Sequence, residues 1–275
     1  MSQRSSVHYY EDGDILISIQ NTVFRLHKII LSIASKIFQD IFVYAKPSSS
    51  DNLPDIKLDE ISVGPFESLI SFIYHDKNFK ITWDCVEDLS RLGDKYEVDI
   101  VLRAVETFLE SHFVEDPLFS LKLADQYRFK NVYKETSKLI LDDLPNYKSK
   151  NEELFKRLST TTRFLLVEKY LDYHLLWSEL ISQSYKNLSS CLHNTCFVNY
   201  VNNNCYISID LSQPQSTSFH CFKDFIKGFI QNKSIPCRVH YKIMMELCKL
   251  FQKFERLERD KSIDNANSYS FIEMN

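Results

Sequence analysis

The chain has 275 residues, 44% of them hydrophobic and 25% charged, with a formal net charge of −4. That is enough apolar material for a sizeable core in two modest domains, and the near-neutral balance gives no default nucleic-acid partner. Only four glycines leave almost no material for phosphate-cradling loops, and seven cysteines without an apolar leader over residues 1–11 read as reduced thiols of a cytosolic or nuclear protein, with no membrane span.

Residues 1–12 are polar and are expected to be a flexible N-terminus. Ile15, Ile17 and Ile19 then alternate with Leu16, Ser18 and Gln20, the period of a strand with one well-buried face. Asn21 and Thr22 predict a turn, and residues 23–26 a second strand. Apolar positions next recur as Ile30, Ala34, Ile37 and Ile41, and as Leu31, Phe38 and Phe42, which is helical spacing. A hairpin thus feeds directly into a hydrophobic helix. Pro47-Ser48-Ser49-Ser50-Asp51-Asn52 is polar and rich in breakers, a loop inserted within the domain.

Asp14, Phe24, His27, Lys28, Leu31, Ser35 and Phe38 resemble the opening of a BTB/POZ domain, with its F-x-x-H-K-x-x-L-x-x-x-S-x-x-F spacing. Ile56-Lys57-Leu58 and the stretch from Phe66 to Tyr74 resemble that family's third strand and following helix. Leu92-Gly93-Asp94-Lys95-Tyr96, with Leu102 and Phe108, is similar to its closing helix pair. Leu123-Ala124-Asp125-Gln126-Tyr127 resembles the start of the helical 3-box or BACK extension. The resemblance implies an α+β fold, a small three-stranded sheet flanked by helices, followed by a mainly α-helical BACK-like domain. The periodicities place Phe24, Leu31, Phe38, Phe66 and Phe72 in one core.

Pro117 suits the first turn of a helix, and Glu115 and Asp116 suit its positive end, so a second domain is expected to start near there. Helical spacing runs over residues 118–144 and 153–188, separated by Pro145-Asn146. The organisation expected is a BTB/POZ domain over 13–113, a BACK-like helical region over 114–188, an irregular insert plus C-terminal helices over 189–260, and a disordered tail over 261–275. Within the insert, residues 197–201 and 206–209 predict a short hairpin around Asn202-Asn203-Asn204. Helices are expected again over 219–230 and 238–259. The last carries Ile243, Leu247, Leu250, Phe254 and Leu257, spacing that suits a coiled coil, while Met244, Cys248 and Phe251 widen the stripe toward a helix packed on its own domain. Lys242, Lys249, Lys253 and their basic neighbours are interspersed with acids, as on a solvated face.

No G-x-S-x-G elbow, Walker A loop, H-E-x-x-H helix or C-x-x-C pair occurs. His27 beside Asp14 has no nucleophile to serve and reads as a structural histidine. Cys191, His193 and Cys196, with Cys237 and His240, have spacing that could close a zinc clip, the alternative being buried free thiols. No cofactor is expected. Asp14 and Lys28 have two open readings. In dimeric BTB domains the matching pair lines a charged interface pocket; otherwise they form a local ion pair that fixes the fold.

The resemblance implies a protein-interaction adaptor, not an enzyme: a receptor that docks a cullin-type ubiquitin ligase and offers its C-terminal half to a client. Phe42, Tyr44 and Tyr74 are the expected apolar anchors. Cullin-binding relatives carry a hydrophobic-x-Glu element where this chain has Val43-Tyr44-Ala45-Lys46-Pro47, without a glutamate. The alternative is a self-associating or bridging scaffold without ubiquitin chemistry. A monomer or weak dimer is expected, any dimer using the first helix with Asp14 and Lys28 nearby.

Overall fold

The computed structural model describes residues 3–47, 53–172, 175, 272 and 274. The hairpin expected over 197–209, the helices over 219–230 and 238–259, and Cys191, His193, Cys196, Cys237 and His240 lie outside the described residues. The chain divides into two compact units, Met1–Glu115 with Gln126–Val132, and Asp116–Asp125 with Tyr133–Asn275.

The first unit is an α+β fold built on strands β1 (Gln3–Tyr9), β2 (Ile15–Ile19), β3 (Thr22–Leu26), β4 (Lys46–Pro47) and β5 (Pro54–Lys57). They form one sheet in the order β1-β3-β2-β5-β4. β2 and β3 pair antiparallel with Ile19 opposite Thr22, so the turn lies at Gln20-Asn21, one residue earlier than expected, with Gln20 in the left-handed region at φ 51°. β5 joins β2 in parallel, Ile17 facing Ile56, which requires the crossover that the intervening helices supply. β2 is therefore an interior strand, and Leu16 is buried along with Ile15, Ile17 and Ile19, where one buried face was expected.

The sheet has five strands where three were expected; of the two added edge strands, β4 lies at the start of the expected loop and β1 comes from the segment expected to be flexible. β1 runs parallel to β3, with a register shift between Arg4 and Tyr9. That shift breaks the strict period of two, so the strand carries no alternating apolar signature. Its buried residues are polar, Ser5 and His8, and partners elsewhere in the chain satisfy them.

The helix expected from the spacing of Ile30 to Phe42 is two helices, α1 (Lys28–Ala34) and α2 (Lys36–Val43). Ser35, extended at φ −152° and ψ 126°, closes the first with its amide on the Leu31 carbonyl and opens the second with its Oγ on the Phe38 amide. The same hydroxyl donates to the Tyr96 carbonyl. Phe38 thereby turns inward to stack on Tyr96, with ring centroids 4.5 Å apart.

Helices α3 (Val63–Ile73), α4 (Trp83–Lys95) and α5 (Asp99–His112) complete the unit. Phe24 and Phe66 meet edge to face at 5.0 Å, and both are buried with Leu31 and Phe38. Phe72 is only half-buried; the inward position beside it belongs to Ser71. On α5 the buried stripe is Val101, Val105 and Leu109, while Leu102 and Phe108 are half-buried. Gly93 lets α4 and α5 approach closely, since a Cβ there would lie 3.1 Å from the Leu102 side chain and 3.2 Å from that of Val101.

The second unit is helical. α6 (Pro117–Tyr127) starts on Pro117, with Asp116 Oδ1 accepting from the Phe119 amide at 3.1 Å. α7 (Lys130–Asp142), α8 (Leu144–Lys150) and α9 (Glu152–Lys156) follow. Pro145, expected to separate helices, lies in the first turn of α8, where its missing amide costs nothing. A further helix, α10, covers residues 160–172, and residue 175 is also helical. Ser159 caps it, its Oγ accepting from the Thr162 amide at 3.1 Å. Asp125 accepts from the Ser159 amide at 2.7 Å, from Ser159 Oγ at 3.0 Å and from Thr162 Oγ1 at 2.6 Å, and Tyr133 hydroxyl lies 2.8 Å from the last. Within the tail expected to be disordered, Ile272 is buried and its amide donates to Ser137 Oγ of α7 at 3.2 Å. An apolar side chain and one satisfied amide hold that point of the tail in place.

Candidate functional site

The five residues expected at an interface divide into a polar staple, in which Lys28 and Tyr74 are half-buried and Asp14 is exposed, and a rim at the end of α2. Asp14 and Lys28 do meet, but through the backbone: Asp14 Oδ1 accepts from the Lys28 amide at 2.7 Å. His27, the N-cap of α1, makes no side-chain cap of its own, so a carboxylate thirteen residues earlier supplies the acceptor at the positive end of the helix. Gly13 permits this approach, because a Cβ there would lie 2.8 Å from the Leu26 carbonyl oxygen.

His27 does not pair with Asp14. Its Nε2 lies 3.2 Å from Asp12 Oδ1, its Nδ1 lies 3.1 Å from Tyr74 hydroxyl, and its backbone amide donates to that hydroxyl at 2.8 Å. Tyr74 stacks on Tyr10 at 4.9 Å with rings 5° from parallel. Burial pushes the Tyr74 hydroxyl up to about 12, against the pull of the His27 amide. With its ring stacked and its hydroxyl engaged, Tyr74 closes the fold between the end of α3 and the start of α1.

His8 extends this cluster inward. Its Nε2 lies 2.8 Å from Ser71 Oγ and its Nδ1 3.3 Å from Tyr10 hydroxyl, while Ser5 Oγ donates to Glu67 at 3.2 Å. Burial lowers the His8 pKa from its ordinary value, opposed by Glu67 and Asp76. Sequence reasoning missed this staple because a polar N-terminal segment carries no apolar period; two histidines and two tyrosines at separated positions were its only trace.

The rim lies at the end of α2. Tyr44 is 83% exposed and its neighbour Val43 is 76% exposed, while Phe42 is half-buried and stacks on Phe38 at 6.1 Å. Large apolar side chains at that exposure have no role in their own core. On α1, Ile29 and Ile33 are a second exposed pair, one turn apart and 66% and 80% exposed. Neither Val43 nor this pair was singled out by sequence; all three sit inside apolar runs where inward and outward positions look alike.

Among the described residues no group of three or more His, Cys, Asp or Glu could hold a metal ion, and no helix is long and apolar enough to cross a membrane. The described cysteine, Cys85, takes part in the cap of α4 beside Thr82.

A family model for the BTB/POZ domain matches residues 7–113. The chain is 31% identical over 160 residues to BTB and MATH domain-containing protein 38 of Caenorhabditis elegans, which covers 58% of this chain and 40% of that protein. It is 26% identical over 138 residues to human Kelch repeat and BTB domain-containing protein 4, covering 49% of this chain and 25% of that one. The chain therefore spans less than half the length of these relatives. The solved BTB domain of human gigaxonin aligns over 34% of this chain and 75% of its own, with 18% identity and a TM-score of 0.30.

Proposed function

We propose, from the premise that residues 7–113 form a BTB/POZ domain, that this chain is a protein-interaction adaptor that docks a cullin and presents a BACK-like helical extension to a client. The observation that carries the docking is the apolar rim at the end of α2, where Tyr44 and Val43 stand exposed beside half-buried Phe42. Exposed aromatics of this kind become anchors when a partner excludes water from them, and truncating one costs about 2 kcal/mol or more of binding. The glutamate that cullin-binding relatives carry in this stretch is absent, which lowers rate and specificity more than contact area. Tyr74 contributes indirectly, by fixing the end of α3 through His27 and Tyr10.

The test is binding of the full chain to the N-terminal region of the cullins of its own species. Micromolar binding that Tyr44→Ala weakens by about thirtyfold supports the docking, since that factor corresponds to about 2 kcal/mol. An intact chain that binds no cullin at that concentration leaves the scaffold reading. Ile29 and Ile33 favour that second reading, because an exposed apolar pair on one helix face suits isologous pairing of two copies through α1. Sedimentation of Ile33→Asp beside the unaltered chain separates the two.

A further inference from the structure

We infer, resting on the docking proposed for the rim, that the outward face of α2 fixes the direction in which the partner lies. Lys36, Asp40 and Tyr44, one helical turn apart, are met by a partner that presents an acid, a base and an apolar contact in that order. Lys36, Gln39, Asp40, Val43 and Tyr44 are all exposed, while Phe38 is buried. At 100° per residue these five cover an arc of about 140°, with Phe38 on the far side of the helix. At the helical rise, Lys36, Asp40 and Tyr44 follow one another in steps of about 6 Å.

The two charges do nothing for the helix that carries them. Lys36 is the first residue of α2 and Asp40 lies in its last turn, so each stands at the end where the macrodipole opposes it. With the base ahead of the acid they are also in the weaker order for a pair four residues apart, and they do not pair. Among the described residues neither side chain has a hydrogen bond or ion pair. Two rules of local helix stability are thus broken together, beside an aromatic side chain that is 83% exposed. Such breaks fall where a site needs them. A carboxylate of the partner at Lys36 and a cation at Asp40 supply the missing counter-charges, while the reversed approach sets like charges against each other. Cullin-binding relatives carry their glutamate just after this helix; here the carboxylate stands one turn before Tyr44.

Association and dissociation rates of the full chain with the N-terminal region of a cullin of its own species, measured at low and high salt, test the assignment. Lys36→Glu and Asp40→Lys should each lower the association rate about tenfold at low salt, with a smaller difference at high salt and little change in dissociation. The two changes combined should bind most weakly, although they put each charge at its favourable end of α2 and in the stronger order. The melting temperature of that double variant should therefore equal or exceed that of the unaltered chain. Weaker docking by a helix that is no less stable separates recognition from a structural role. A melting temperature several degrees lower in either single variant overturns the proposal. So do rates that neither variant changes while Tyr44→Ala still weakens binding. An unaltered chain that binds no cullin removes the docking and this proposal together.

Discussion

The BTB/POZ domain and the helical unit both have apolar cores, but they are fastened by different polar chemistry. In the domain, Phe24, Leu31, Phe38 and Phe66 fill the space between sheet and helices, and polar side chains fasten its edge strand: His8 to Ser71, Ser5 to Glu67, Tyr10 stacked on Tyr74. In the helical unit one carboxylate, Asp125, gathers the start of α10 and connects through Thr162 to Tyr133. The domain draws on contacts between residues far apart in sequence around an apolar centre. The helical unit has an apolar centre as well, with Leu118, Leu121, Leu123, Ile140 and Leu166 buried, and adds to it the caps and polar junction around Asp125; it leaves an apolar face of α10 outward. Both are expected to respond to lost volume, and the helical unit also to the loss of that one carboxylate.

The sharpest test of the contrast is Phe38→Ala, which removes a side chain that is 1% exposed and stacked on Tyr96. A loss of about 3–5 kcal/mol is expected from the cavity and lost burial, read as a lower melting temperature or denaturant midpoint. An unchanged midpoint would remove Phe38 from the core. Asp125→Ala tests the other unit, since it strips the acceptor from the Ser159 amide, Ser159 Oγ and Thr162 Oγ1. A cost of about 1–3 kcal/mol is expected, visible as faster exchange at the start of α10, with Asp125→Asn recovering part of it.

The edge strand responds to pH. His8 is buried and its folded pKa lies below the unfolded value of 6.5, so the unfolded chain binds the proton more readily. Its contribution leaves stability unaffected above 6.5 and lowers it progressively as the pH falls from there toward the folded pKa, by at most about 1.4 kcal/mol per pH unit. His8→Gln should flatten that part of the stability profile, and exchange of β1 amides should show the same loss in the unaltered chain. A profile identical in both proteins would detach β1 from His8.

Tyr44→Ala should have the smallest effect on stability, within about 0.5 kcal/mol, because the side chain is 83% exposed. Set beside Phe38→Ala six residues earlier in α2, this change at the helix's C-cap separates a residue that builds the domain from one that is free to meet a partner. A Tyr44→Ala melting temperature several degrees lower would place that ring in the core and remove it from the interface.

Much of the domain was legible in sequence because its signals are local and periodic. The alternation of Ile15, Ile17 and Ile19, the spacing from Leu31 to Phe38, and the stretch from Phe66 to Tyr74 each declare an element and its inward face. Tertiary structure decided whatever depended on a polar group finding a distant partner. Ser35 divides a continuous apolar run because its hydroxyl accepts from the Phe38 amide and donates to the Tyr96 carbonyl. A polar N-terminus becomes a strand because Ser71 and Glu67 await His8 and Ser5. Asp14 caps α1 through the Lys28 amide, and Tyr74 turns from an expected anchor into a staple. Periodicity records which side of an element faces the core. A buried hydroxyl, imidazole or carboxylate is stable only where a specific acceptor or donor meets it, and that meeting is fixed by the fold.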